Sequence, residues 1–321
     1  MLRFVLAFVT LALLIALGAI AARWARDHFV PAPAPVEVPA DAPIRHLGFD
    51  IIAARALEEY RALPADGREA ILANLRSNVV PLASWLDALE QRGYGLLCVG
   101  ERHEDATRRF LAERVLPSLG VDVLMLEATS DELAAITKRV YANEKRVTLL
   151  GADIAAVIRA ARRRNPYLVL AGIEEHPAQR TQRQDRRQGS RDRSITANLR
   201  SHLRPGKRHV AIFGALHCTD QPGWLYARIG AEEHRLARGD MLSVNVLGRH
   251  QDGTLEAFVW FLDSLGIATG DFAVPRTAAL HRAVYEWFSP LTRSFAYYQA
   301  VVVFDEDRRD DTLQVGLAGA Q

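Results

Sequence analysis

From Ile51 onward the apolar positions of the chain follow two patterns in turn. Residues spaced three or four apart (Leu57, Tyr60 and Leu63, then Val80, Leu82, Trp85, Leu86 and Leu89 before Gly93) predict two leading helices. Short, largely apolar runs follow at 95–100, 121–127, 167–173 and 209–214, each read as a strand. Between them the pattern predicts helices over Glu104 to Leu119, after Ser130 and Asp131 as caps, and over Arg191 to Leu203. Met241 to Leu247 and Tyr298 to Phe304 read as further strands of the same sheet. Alternation of this kind predicts an α/β fold, a mainly parallel mixed sheet flanked by helices, in one domain over 50–312.

The first residues break the pattern. Phe4 to Ala22 carries no charge and is bounded by Arg3 and by Arg23 and Arg26; as a helix it spans roughly 28 Å, enough to cross a bilayer. The competing reading is a cleaved signal peptide, for which Ala19-Ile20-Ala21 supplies small residues, but the run is longer than a signal core. A retained N-terminal transmembrane helix over 1–25 is therefore expected. The proline-rich stretch after it, Pro31, Pro33, Pro35, Pro39 and Pro43, reads as a stiff linker over 26–49. A basic N-terminus, apolar helix and spacer together suit a domain held on the extracytoplasmic, periplasmic side of a membrane. The charges flanking the helix leave its orientation weakly determined.

Composition narrows the remaining classes. Lys and Arg number 40 against 38 Asp and Glu, a net charge of +2, which gives no general attraction to nucleic acid. Two cysteines, Cys98 and Cys218, exclude a disulfide framework and a cysteine-rich zinc site, and fit either redox compartment. Pro177 to Arg193 holds six Arg and two Asp but no aromatic residue, so it reads as an exposed flexible loop able to cover the strand ends rather than a nucleic-acid patch.

The candidate chemistry lies where strands end, since ligands of open α/β sheets bind outside the carboxyl ends of the strands. The four runs lead into Gly100-Glu101-Arg102-His103, Glu127, Glu174-Glu175-His176 and Gly214-Ala215-Leu216-His217. His103 and His217 share a Gly-X-X-His context, in which glycine is expected to let the backbone turn the imidazole over its strand end. Imidazole and carboxylate together can bind Zn, Mn or Fe, or act as an oriented general base. Each residue taken alone also has a bland reading, as a surface or satisfied polar group. Arg191, Ile195 and Asn198 share one helix face, where a guanidinium can hold a carboxylate, phosphate or oxyanion.

Gly100-Glu101-Arg102-His103, Leu124-Met125-Leu126-Glu127, Arg191-Asp192-x-x-Ile195-x-x-Asn198 and Ala211 to His217, in this order, resemble the erythromycin esterase, ChaN and Tiki/TraB superfamily. The resemblance covers roughly Gly93 to Cys218, with a weaker echo over Tyr297 to Phe304. That superfamily includes lactone-opening esterases, metal-dependent membrane-anchored proteases and haem-binding lipoproteins, so it implies a site more firmly than a reaction. The single residue between Glu101 and His103 is closer to the ChaN and Tiki spacing than to the esterases. What the resemblance implies is a membrane-tethered hydrolase of a small-molecule or peptide substrate, using a divalent metal (Zn, Mn, Co or Fe). His103, His217 and Glu127 would be the metal ligands and Glu101, Glu127 and Arg191 the catalytic groups; His176, from its place after a strand, and Asn198, from its helix face, are added as cofactor-binding candidates. The alternative is a haem or metal-chelate binding protein, for which Trp287, Phe288, Tyr297 and Tyr298 supply aromatics that are more often core. A surface protein with a degenerate site is the third reading.

Overall fold

The computed structural model describes residues 49–185, 190–233, 236–267, 270–276, 280–289 and 296–306. The expected anchor (1–25), its linker up to residue 48 and the end of the domain beyond residue 306 lie outside the described residues. Among the described residues no helix is long and apolar enough to cross a membrane.

Strands that are apolar at every position require cover on both faces, and the fold supplies it. The strands are β1 (Val80–Pro81), β2 (Leu96–Glu101), β3 (Val123–Leu126), β4 (Thr148–Leu149), β5 (Ala152–Asp153), β6 (Val169–Gly172), β7 (His209–Gly214), β8 (Met241–Gly248), β9 (Phe272–Pro275) and β10 (Ala300–Phe304). Eight of them form one sheet in the order β1-β9-β10-β8-β2-β7-β3-β6, while β4 and β5 make a separate hairpin. From β10 to β6 all neighbours are parallel; β9 runs antiparallel to β10 and β1, which makes the sheet mixed.

The helices are α1 (Phe49–Ala62), α2 (Ala65–Asn78), α3 (Leu82–Arg92), α4 (Asp105–Phe110), α5 (Ser130–Tyr141), α6 (Ala155–Arg164), α7 (Pro177–Asp185), α8 (Arg191–His202), α9 (Leu225–Glu232), α10 (Gly253–Ser264) and α11 (Arg282–Trp287). Alternate residues of each strand serve opposite faces. Leu97, Val99, Val210 and Ile212 face α3, α5 and α6. Leu96, Ala211 and Phe213 meet Ile195 and Leu199 of α8 and Leu225 and Ile229 of α9. Further along that second face, Val301 and Val303 pack under α1, α10 and α11.

Several expectations need correction. Val80 belongs to an edge strand and α3 begins at Leu82, because Val80 and Pro81 pair with Ala273 and Phe272. The cap of α5 is Thr129, not Ser130 or Asp131. The Thr129 side chain accepts from the Glu132 amide and the Glu132 carboxylate accepts from the Thr129 amide, a reciprocal capping box. The segment from Pro177 is helical up to Asp185 rather than a loop, because Arg183 pairs with the buried Glu175 and Gln179 bonds Asn198 of α8. Residues 186–189 of the expected loop lie outside the described residues. A point the sequence left open is also decided: Cys98 on β2 and Cys218 after β7 form a disulfide across 120 residues of sequence. The parallel pairing of β2 with β7 brings those two elements side by side.

Candidate functional site

Four neighbouring strands, β2, β7, β3 and β6, end together, and each leads within three residues of its end into a Glu or His side chain: His103, His217, Glu127 and Glu174. Because β7 is inserted between β2 and β3, Glu101 pairs in register with Gly214, and Glu127 follows Leu126, the register partner of Ile212. The sheet thus assembles one group from segments far apart in sequence.

Glu101 is 2% exposed. Its Oε1 accepts from Arg108 Nε at 2.9 Å and lies 3.1 Å from His103 Nδ1. The other oxygen, Oε2, is buried without a partner. His103 takes φ +50, unusual for a residue with a side chain, and its Nε2 points to Glu127 Oε2 at 3.4 Å. Glu127 is held by the Gly214 amide on Oε2 (2.8 Å) and by Arg191 Nη2 on Oε1 (2.6 Å). His217 lies with Nε2 3.7 Å from the same carboxylate, Nδ1 2.9 Å from Asp192, and its ring edge-on between Phe213 and Trp224. Each imidazole therefore has a carboxylate behind Nδ1 and turns Nε2 toward Glu127.

The two glycines act differently from expectation. Neither provides the turn through a positive φ; His103 itself does that. A Cβ on Gly100 would meet Ala215 Cα at 2.9 Å, and one on Gly214 would meet His103 Nε2 at 3.1 Å. The glycines keep the strand ends close and the space between the imidazoles open.

Arg191, at the start of α8, is the cation of the group. Its Nε donates to Glu174 Oε1 at 2.8 Å, Nη2 is shared between Glu174 and Glu127, and Nη1 lies 3.3 Å from His217 Nε2. Glu174 first, and then Glu127, hold the guanidinium charge above its ordinary pKa against the burial that opposes it. Among the described residues no set of three or more His, Cys, Asp or Glu side chains is arranged to hold a metal ion.

Five of the residues singled out in the sequence, Glu101, His103, Glu127, Arg191 and His217, meet here. The other two stand aside. His176 is half-exposed on the rim, 3.6 Å from Asp131. Asn198 donates to the Glu174 carbonyl at 2.9 Å and fixes the chain just after β6.

Pattern reading missed Arg108, and it placed Glu174 and Asp192 near the site without giving either a role. Arg108 is buried and joins Glu101 to the β4–β5 hairpin, donating from Nη1 to the carbonyls of Leu149 (2.6 Å) and Ala152 (2.7 Å). Its only sequence signal is a charge on a helix next to a strand end, which looks like any solvated arginine. The aromatics considered for a haem cleft are largely core or bracing. Phe288 and Trp287 pack on Phe261, and Tyr298 donates its hydroxyl to Ala215 O at 2.8 Å, which braces the turn bearing His217.

No family model matches the chain, and no curated relative matches it. Two solved structures described as bacterial protein toxins are similar over 59% and 61% of the chain, with TM-scores of 0.36 and 0.35 at 18% and 17% identity. The chain spans 41% and 44% of their lengths.

Beside the Glu127, Glu174 and Arg191 group opens a groove of about 750 Å³, bordered by α5, the β4–β5 hairpin and the start of α7. Ile136, Leu149 and Leu150 line one part of it, and Asp131, Glu175, His176 and Arg180 another. Such a groove can seat a small molecule or an extended segment of chain.

Proposed function

We propose that the chain is a membrane-tethered hydrolase of ester or peptide bonds, of the erythromycin esterase, ChaN and Tiki/TraB kind, acting on a small-molecule or peptide substrate outside the cytoplasm. The observation that carries this reading is the pair of imidazoles, each backed by a carboxylate and facing one Arg-bound glutamate beside a groove. Water bound alongside His103 Nε2 and Glu127 attacks the carbonyl carbon and gives its proton to His103 Nε2. Glu101, behind Nδ1, orients the ring and offsets its positive charge. Glu127 is committed to Arg191 and the Gly214 amide, so it positions rather than accepts the proton. The oxyanion formed on the carbonyl develops beside Arg191. When the tetrahedral intermediate collapses, the bond to the leaving group breaks and His103 returns the proton to it.

A metal-dependent form is the second reading, favoured by the carboxylates behind both ring nitrogens, the usual support of a metal-ligating histidine. As arranged the donors do not fit Zn, Mn, Co or Fe. His103, His217 and Glu127 would share a divalent ion only after Arg191 left Glu127, because two cations cannot occupy one carboxylate edge at that distance without strong repulsion. The exported location is supported by the Cys98–Cys218 disulfide, since such bonds persist in oxidising compartments. A reporter fused after Gln321 and active only in the cytoplasm would reverse that assignment.

The test is hydrolysis of p-nitrophenyl esters and fluorogenic peptides by wild type, His103→Ala, His217→Ala and Glu127→Gln, with elemental analysis of protein purified without chelator. The hydrolase reading expects each variant to lose activity while its metal-free melting temperature stays near that of metal-free wild type. Full activity and unchanged metal content in both histidine variants would refute a shared site, and a Soret band in the purified protein would move the reading to haem binding.

A further inference from the structure

The β4–β5 hairpin carries a feature that folding alone disfavours. Leu149 pairs with Ala152, so Leu150 and Gly151 are the two turn residues, and both have positive φ (+51 and +90). Positive φ at both central positions is the type I′ pattern, in which Asn-Gly is the preferred pair because asparagine tolerates the left-handed region and leucine does not. Gly151 is the expected residue and Leu150 is not. Leu150 is also 48% exposed, so its backbone strain is not repaid by burial in the core. Instead it lines the groove with Leu149 and Ile136.

The hairpin is fixed to the reacting groups through Arg108, which donates to the carbonyls on both sides of the turn and also to Glu101, the carboxylate behind His103. The apolar tip is therefore held at a set position relative to the proposed base.

We infer that Leu150 is a specificity-determining residue, an apolar wall that selects substrates carrying an aliphatic or similarly apolar group next to the bond to be cut. This inference rests on the reading of the groove as a hydrolase's substrate site. An apolar group seated there covers the exposed face of Leu150, and the gain in affinity offsets a backbone conformation that an asparagine would hold with less strain.

Binding is tested on the full chain in nanodiscs with uncharged N-butyl, N-pentyl and N-hexyl acetamide, using Leu150→Asn as the paired protein so that partition into lipid cancels. Wild type should gain about two- to fourfold in affinity per added methylene. Leu150→Asn should lose about three- to tenfold for the hexyl compound, as expected for removing a half-covered leucine contact, and should melt at the same or a higher temperature. Equal affinities of the two proteins, or a wild-type affinity that does not rise with chain length, would overturn the inference. The p-nitrophenyl esters of matching acyl length separate it from the hydrolase reading. Chain-length-dependent amide binding without ester hydrolysis supports the apolar wall and removes the hydrolase. Ester hydrolysis whose chain-length preference is the same in Leu150→Asn keeps the hydrolase and removes the wall.

Discussion

Replacing Arg108 by Met keeps a long apolar stem but removes the charge, and the surroundings set the expected cost. The side chains of Arg108 and Glu101 are 2% and 1% exposed, so neither charge can be solvated by water where it stands. Glu101 Oε2 has no hydrogen-bond partner, and Oε1 would keep only the contact with His103. Removing one partner of a buried ion pair costs about 3–5 kcal/mol, because the other charge is left uncompensated. The carbonyls of Leu149 and Ala152, on residues that are themselves buried, lose their donor as well, which keeps the cost from falling to the lower end of that range. A loss of about 4 kcal/mol, or roughly 10 °C in Tm for a domain of this size, is expected. The assay is urea unfolding of wild type, Arg108→Met, Glu101→Gln and the double variant at neutral pH, with m-values compared to verify a common transition. Glu101→Gln removes the stranded charge, so the double variant should be more stable than Arg108→Met alone, with a coupling of about 2 kcal/mol or more. A loss below about 1 kcal/mol in Arg108→Met, or an additive cycle, would show that water or another group compensates Glu101 and that the buried pair does not tie the hairpin to the site.

Gly214→Ala should leave the fold within about 1 kcal/mol of wild type but sharply reduce hydrolysis, since its methyl would press on His103 Nε2 at 3.1 Å; unchanged kcat/KM would count against a reacting His103. Gly172→Ala, whose Cβ would meet the backbone oxygens of Thr129 and Ala128 at 2.6 and 2.8 Å, should by contrast lower stability by more than about 2 kcal/mol in chemical denaturation. Replacing Cys98 and Cys218 together by Ala opens a loop closed across 120 residues and should cost about 2–4 kcal/mol, read from the shift of the urea midpoint against oxidised wild type. Arg183 chiefly, helped by Ser194, holds the Glu175 carboxyl below the usual glutamate value against its burial, so the stability it contributes is present above that value and is lost as pH falls below about 4.3 toward the folded pKa. Glu175→Gln should flatten the fall of Tm between pH 5 and 3, and identical slopes in the two proteins would contradict this.

Much of the frame was legible because burial on both faces writes itself into sequence. The run at 209–214 matches β7 residue for residue, and the runs before Glu101 and Glu127 end within a residue of the observed strands, since a central parallel strand admits almost no polar side chain until it leaves the sheet. The edge strand β1 and its neighbour β9 were not legible. They are two and four residues long, too short for periodicity, and exist only because they pair with each other and with β10. The helix at Pro177 was misread for a related reason. Its polar composition supplies no apolar face, and what orders it is ion pairing of Arg183 to Glu175 and a hydrogen bond to Asn198.

By itself, then, the sequence determined an alternating α/β chain and put Glu and His at successive strand ends, because local propensity and hydrophobic period act over a few residues. Only the tertiary structure decided that β7 lies between β2 and β3, and that insertion brings His217 opposite His103 and Cys218 against Cys98. It also decided which charge is buried. Arg102, Arg108 and Arg109 look alike in the chain, yet Arg108 alone of the three faces Glu101 and the hairpin carbonyls. The orientation of a helix against a sheet end is fixed by long-range packing, which no local pattern records.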